Sequence, residues 1–480
     1  MIFKKGYISI VFCLLVFNVF AVSKDSLVVY NATQDIINTM HNNDFSVKVR
    51  KPGGEWKELF EYIIKVDQVI GTGHSVQNAS MASFDFSGTV EVAVTSNKGN
   101  INSARVRPLS KGISTRIKKN TLYFNLIKPA NLSVEINDDI FHNLHLFANP
   151  IEKDVPNPKD PNVIYFGSGI HEIPNQKLQV PSNKTVYLAG GAVLKGQIRL
   201  DSVENVKIKG RGIVYQEIRS GIRIANSKNV EVEDLFASQC FTGGSDGVSI
   251  KNVKTISFYG WGDGMNVMAA NNVLFDGVFI RSSDDCTTVY GTRGGFTGSC
   301  NNITMQNSTL WADVGHPILI GTHGNSKDPD VLENLKYTNI DILDQKEMQV
   351  DYQGCLSINV GDNNLAKNVL FENIRVEDFR EGQLLNLRVF YNTKYCTAPG
   401  LGIENVVFRN IDYNGKNANL SIIAGYNEQR KIKDVTFENL KINGFLIHDE
   451  MQGKPKWYKT SDMARFFVGE HVEGVTFKIK

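Results

Sequence analysis

The sequence predicts an all-β protein, a right-handed parallel β-helix preceded by a β-sandwich, and three observations carry that expectation. A short core of Asn, aliphatic, any residue, then aliphatic or aromatic recurs from Asn205 to Asp434. The segment before it alternates apolar and polar residues with period two, and a Pro-rich stretch separates the two rhythms.

In chain order, Lys4 and Lys5 precede an apolar run from Ile8 to Val22, with small residues at Ala21 and Ser23. That is the layout of a cleaved secretory leader, so residues 1–23 are expected to be a signal peptide and the protein secreted or periplasmic. The run is shorter than the ~20 residues of a membrane helix, and no later stretch is long enough to span a bilayer. Cys13 falls inside the leader, leaving Cys240, Cys286, Cys300, Cys355 and Cys396. Their number is odd and their spacing is not that of a zinc site, so they read as buried core thiols.

Composition supports a folded chain without a nucleic-acid-binding field. Among 480 residues 42% are hydrophobic and 21% charged, with a formal net charge of +2. Such numbers exclude disorder and collagen-like repeats, and bulk charge advertises neither nucleic acid nor an anionic membrane.

Residues 24–149 contain the alternating runs Ala82–Phe86, Val90–Thr95, Leu122–Leu126 and Leu132–Ile136, broken by Gly, Asn and Pro, which predict antiparallel strands packed as a sandwich. The stretch from Pro150 to Pro161 is the expected connection to a second domain over 162–480. There the repeat begins at Asn205, Asn229, Asn252, Asn272, Asn302, Asn334, Asn368, Asn405 and Asp434, with intervals of 20 to 37 residues. Repeats of that size built from short strands and turns describe a solenoid. A Leu lattice for a leucine-rich horseshoe is missing, and the period is too short and uneven for propeller blades. A parallel β-helix remains, its coils stacked at ~4.8 Å. The longer repeats after Asn272 imply loops inserted on one edge, walling a groove.

Three acidic residues stand out against this frame. Asp263 lies in Trp261-Gly-Asp-Gly-Met-Asn266, and Asp284-Asp285 lies in Ser282-Ser-Asp-Asp-Cys286, about one coil later. Stacking places them side by side. Crowded carboxyls raise one another's pKa, so one can hold a proton for a leaving oxygen while another, ionised, activates water. A lone Asp-Gly such as Asp246-Gly247 reads as a turn cap instead. His316, one coil further in Gly315-His316-Pro317, is a candidate to orient an Asp or bind a sugar hydroxyl, His323 less so. Trp261 and Trp311 are candidate sugar platforms, each with core packing as the equal alternative.

Asp263-Gly264, Asp284-Asp285-Cys286 and Gly315-His316 together resemble the clan that joins polygalacturonases, glycoside hydrolase family 28, with dextranases and isopullulanase, family 49. The sandwich-then-solenoid layout, with Leu144–Pro150 and Val163–His171 at the junction, is more similar to family 49. The resemblance implies a pectin-lyase-like solenoid that cleaves α-glycosidic bonds of a polysaccharide with inversion. It implies Asp284 as general acid, with Asp263 and Asp285 holding and activating water. No cofactor or metal is expected, and the chain is expected to be a monomer whose partner is its glycan. The sequence departs from the family at Trp261, at Asn266 and at Gly-His-Pro, and the solenoid lacks an Arg-Ile-Lys motif. Arg116-Ile117-Lys118 spells that motif but lies in the sandwich, so Arg293, Arg388 or Lys394 is the expected substitute, with Asn266 a further substrate contact. Two other readings share the solenoid: a Ca²⁺-dependent polysaccharide lyase and a non-catalytic glycan-binding solenoid.

Overall fold

The computed structural model of the protein describes residues 26–480, so the expected signal peptide and Cys13 lie outside the described residues. Two sheets fill residues 26–150. A six-stranded sheet is centred on strands 73–87 and 139–150, which run parallel, and a five-stranded antiparallel sheet contains 45–50, 90–96 and 121–126. The inward residues of each alternating run meet between the sheets, with Val47, Phe84, Val92, Phe124, Leu132 and Leu146 all buried.

From Val163 onward thirty strands form one continuous sheet system in which most strands pair, in parallel, with the strand about three places on. This is a parallel β-helix with three faces. One face carries the repeats, and its inward Val, Ile, Leu and Phe residues stack in columns. Phe371, Phe408 and Phe437 lie ring on ring with centroids 4.9 Å apart. The Asn that begins each repeat turns the corner in the left-handed region, from φ 55° at Asn205 to 54° at Asn405, which short polar side chains tolerate best. Its amide donates to the coil below, as from Asn229 to Asn205 at 2.6 Å and from Asn405 to Asn368 at 2.8 Å. Asp246 caps a turn in this ladder by accepting from Asn272.

The second face docks on the sandwich. Phe236, Ile256 and Phe279 pack on Ile36, Tyr62 and Phe147. Buried ion pairs surround that contact. Arg281 grips Asp313 with two bonds of 2.7 and 2.9 Å, Arg211 reaches Asp85 at 2.9 Å, and Arg107 bridges Glu135 and Glu377. The third face, built from strands 265–268, 287–290, 318–321, 356–360 and 385–389, carries the acidic cluster at its margin. All five described cysteines are buried and unbridged.

Candidate active site

Asp263 sits just before strand 265–268, and Asp284-Asp285 in the turn before strand 287–290. Met265 pairs with Thr287 and Thr287 with Ile318, so the column beneath the site runs Asp263, Asp285, His316, at offsets of 22 and 31 residues. Backbone bonds from Gly264 to the Asp285 carbonyl (2.9 Å) and from Cys286 to the His316 carbonyl (2.8 Å) hold the three coils in register. Asp284 stands beside Asp285, off this column. One oxygen from each of the three carboxyls lies within 4.8 Å of the others.

Glycines make this approach possible. A Cβ on Gly264 would sit 2.4 Å from the Cys286 carbonyl, and one on Gly315, at φ 79°, would meet carboxyl oxygens of Asp284 and Asp285 at 2.8 Å.

Crowding sets the electrostatics. Burial, then the charge of Asp285, pushes Asp263 up to about 7, although Asn266 pulls it down by donating to its Oδ2 at 2.5 Å. Burial, reinforced by Asp285 and Asp263, lifts Asp284 well above the carboxylate range. Asp284 is therefore the member that keeps a proton near neutral pH, and the cluster titrates as a unit. The three oxygens are close enough to share a cation, but Asp284 would first have to release that proton.

His316 is 1% exposed and spends both ring nitrogens within the protein. Nε2 faces the Tyr352 carbonyl, which only accepts, and Nδ1 lies 2.7 Å from Asp285 Oδ1. The His316 backbone N–H donates to the same oxygen at 2.9 Å. Burial opposes a charge on the ring, but Asp285 and its hydrogen bond outweigh it and raise the pKa. Of the two expected roles, the geometry fits the one in which His316 orients Asp285, since both ring nitrogens face protein acceptors and neither is left for a sugar hydroxyl.

Other expected contacts divide. Trp261 is 64% exposed beside Asp263, and His74, from the sandwich hairpin of strands 62–70 and 73–87, meets its ring edge-on at 5.0 Å. Arg293 is exposed and its field acts on Asp263. Trp311 is not in the site. It is fully buried with Arg281 at 4.0 Å over its ring, because the outward phase of its strand faces the sandwich. Arg388 is also away from the carboxyls. It lies in register beyond Gly321 and Asn359 and donates to the Asp351 carbonyl at 2.6 Å, clasping a loop. Lys394 rims the cleft near Asp284, and His323, held down to about 4 by burial, packs edge-on against Tyr290. Sequence reasoning missed Tyr290, whose hydroxyl donates to Asp285 at 3.4 Å, and Glu347, whose charge acts on Asp284. Strand phase was the available signal for Tyr290, five residues after Asp285.

The model of the family "Glycosyl hydrolases family 28" matches residues 190–456. Among solved structures the chain is similar to Dex49A from Penicillium minioluteum, with 14% identity, TM-score 0.55, and 93% of this chain and 96% of that one covered. It is also similar to the family 28 exopolygalacturonase of Yersinia enterocolitica, with 10% identity, TM-score 0.48, and 80% and 96% covered. No curated protein matches the chain.

Proposed function

The chain belongs to glycosyl hydrolase family 28 and is a glycoside hydrolase, and we propose that it cleaves α-glycosidic bonds of an extracellular polysaccharide, with Asp284 as general acid. The observation that carries this reading is the clustering of Asp284 with two other carboxyls, one oxygen of each within 4.8 Å, in a buried setting that raises its pKa. In the proposed reaction Asp284 gives that proton to the leaving oxygen as the anomeric bond breaks. Asp263 and Asp285 take a proton from the water that attacks the opposite side, so the anomeric configuration inverts. Asn266 and His316 hold those two carboxyls in place.

A second reading of the stereochemistry is favoured by the nearest-oxygen spacing, which falls within 4.8 Å. Inversion usually goes with ~6.5–9.5 Å between carboxyl groups, and retention through a glycosyl ester with ~5–5.5 Å. Proton NMR of the first-formed anomer separates the two.

The substrate is proposed to carry uronate groups. Arg219 and Arg293 are both exposed, the charge of each acts on Asp263, and neither forms an ion pair with a carboxylate among the described residues. Trp261, two residues before Asp263, offers an exposed flat face for a sugar ring. Export is proposed from the basic, apolar and small-residue order of residues 1–23.

The test is incubation of the wild type and Asp284→Asn with polygalacturonate and dextran. We expect new reducing ends from polygalacturonate, reduced about 10²–10⁴-fold in the variant as general-acid loss predicts. Equal rates in both proteins would remove Asp284 from the mechanism, and unsaturated products would identify a lyase.

A further inference from the structure

The third face of the solenoid is the floor on which a glycan would lie, and it is open on only one side of the carboxyls. Its outward residues can be followed coil by coil through the strand register. On the N-terminal side one floor column runs through Arg199, Arg223 and Phe241, all part-exposed, before it reaches the buried Asn266, and in the neighbouring column Met268, in register with Gly243, is part-exposed as well. The segments 215–220 and 258–263 wall that side, braced from behind by the sandwich hairpin. There Lys65 pairs with Glu217, and its backbone N–H donates to Gln216 at 2.8 Å. The turn carrying Phe296 forms the opposite wall and lies against Phe241 with ring centroids 5.6 Å apart.

On the C-terminal side the first column continues through Leu319, Ser357 and Asn386 and the second through Asn359, all 0% exposed, before Arg388 emerges part-exposed on the rung after Asn359. Polar outward residues of a sheet face are normally wet, so complete burial means something sits on them. Two loops do, 345–355 and 390–400. Tyr352 is their keystone. Its ring stacks on Tyr395 at 4.8 Å and on Phe390 at 5.9 Å, and meets His316 edge-on at 4.7 Å. Its neighbours are also tied down: Gln353 accepts from Ser357 at 3.2 Å, Asp351 from Arg388, and Tyr395 donates to Gln349 at 2.8 Å. The plug begins one coil past the acidic pair, at the residue that holds His316.

We propose that the hydrolase acts from a chain end, admitting a polysaccharide along the open half of the floor and accommodating only a short saccharide between the carboxyls and the Tyr352 plug. This rests on the glycan-hydrolase reading above and adds to it the mode of attack. A cleft open at both ends accepts internal bonds anywhere, whereas one closed a coil past the acid allows only bonds near a terminus to reach Asp284.

The experiment follows polygalacturonate digestion by product size and by solution viscosity together. Wild type should release one short saccharide of constant size from the earliest time point, with viscosity falling only in proportion to the bonds cut. A ladder of intermediate oligomers with early collapse of viscosity would overturn the proposal. The paired substitution Y352A/Y395A, checked for folding by circular dichroism, should turn the single product into a ladder. An unchanged single product from that folded variant would overturn the assignment of the closed end to this loop pair. If neither polygalacturonate nor dextran yields new reducing ends, the hydrolase reading falls and this proposal with it.

Discussion

At Asp284 the proton is held by its surroundings, and each neighbour that holds it can be removed separately. Glu347 is one, since its charge raises Asp284 without belonging to the acidic trio. Glu347→Gln is expected to lower the pKa of Asp284 and shift the alkaline limb of the kcat/KM profile to lower pH; an unmoved limb would place the acid elsewhere. Gly315 is another control point. Gly315→Ala combines a left-handed backbone with a Cβ 2.8 Å from both carboxyls, so a stability loss above ~1 kcal/mol and a large loss of kcat are expected from thermal melts and initial rates. Asp263 links the site to stability. Its folded pKa of about 7 exceeds the ordinary carboxylate value of 3.8, so the folded state binds the extra proton between those values. The stability this adds is complete below pH 3.8 and is lost as pH rises through about 7, so Asp263→Asn should stabilise the fold most above neutral pH. The clustering of the acidic trio was legible from residue type and spacing, whereas Asn266, expected as a substrate contact, is buried and donates to Asp263. The role of His316 was not legible, because only the folded chain brings the Tyr352 carbonyl to its second nitrogen.

Among the elements, the Asn corner is the one that sequence displays best, because its cause is local. A left-handed residue with a side chain able to reach the next coil is met by Asn and by little else. Asn405→Ala removes a bond of 2.8 Å and leaves Ala at φ 54°. A loss of about 1–2 kcal/mol in urea unfolding is expected, the sum of one hydrogen bond and a strained backbone position. The sandwich strands were legible for a similar reason, since alternation reports which face of a strand meets the core. The inserted loops were legible only as extra length. Nothing in the residues of 345–355 announces that Tyr352 lies over the floor, because its partners Phe390 and Tyr395 come from the next insertion.

For the whole molecule, the junction of sandwich and solenoid depends on charge hidden from water. Arg281 and Asp313 are both 0% exposed, and burial raises the Asp313 pKa while Arg281 pulls it back. Arg281→Met leaves that carboxylate buried without its main partner, which costs about 3–5 kcal/mol and should show as a large fall in melting temperature. Trp311 belongs to this junction, and the sequence misled there because an aromatic residue on an outward strand phase looks the same whether sugar or protein covers it. The offsets beneath the active site hold a wider consequence. Asp263 and Asp285 are 22 residues apart in register and Asp285 and His316 are 31, yet each step is a single rung of the sheet. The reacting groups are thus spaced by a ruler that does not count the intervening chain. Evolution can lengthen or trim the walls between rungs while the spacing of Asp263, Asp285 and His316 stays fixed.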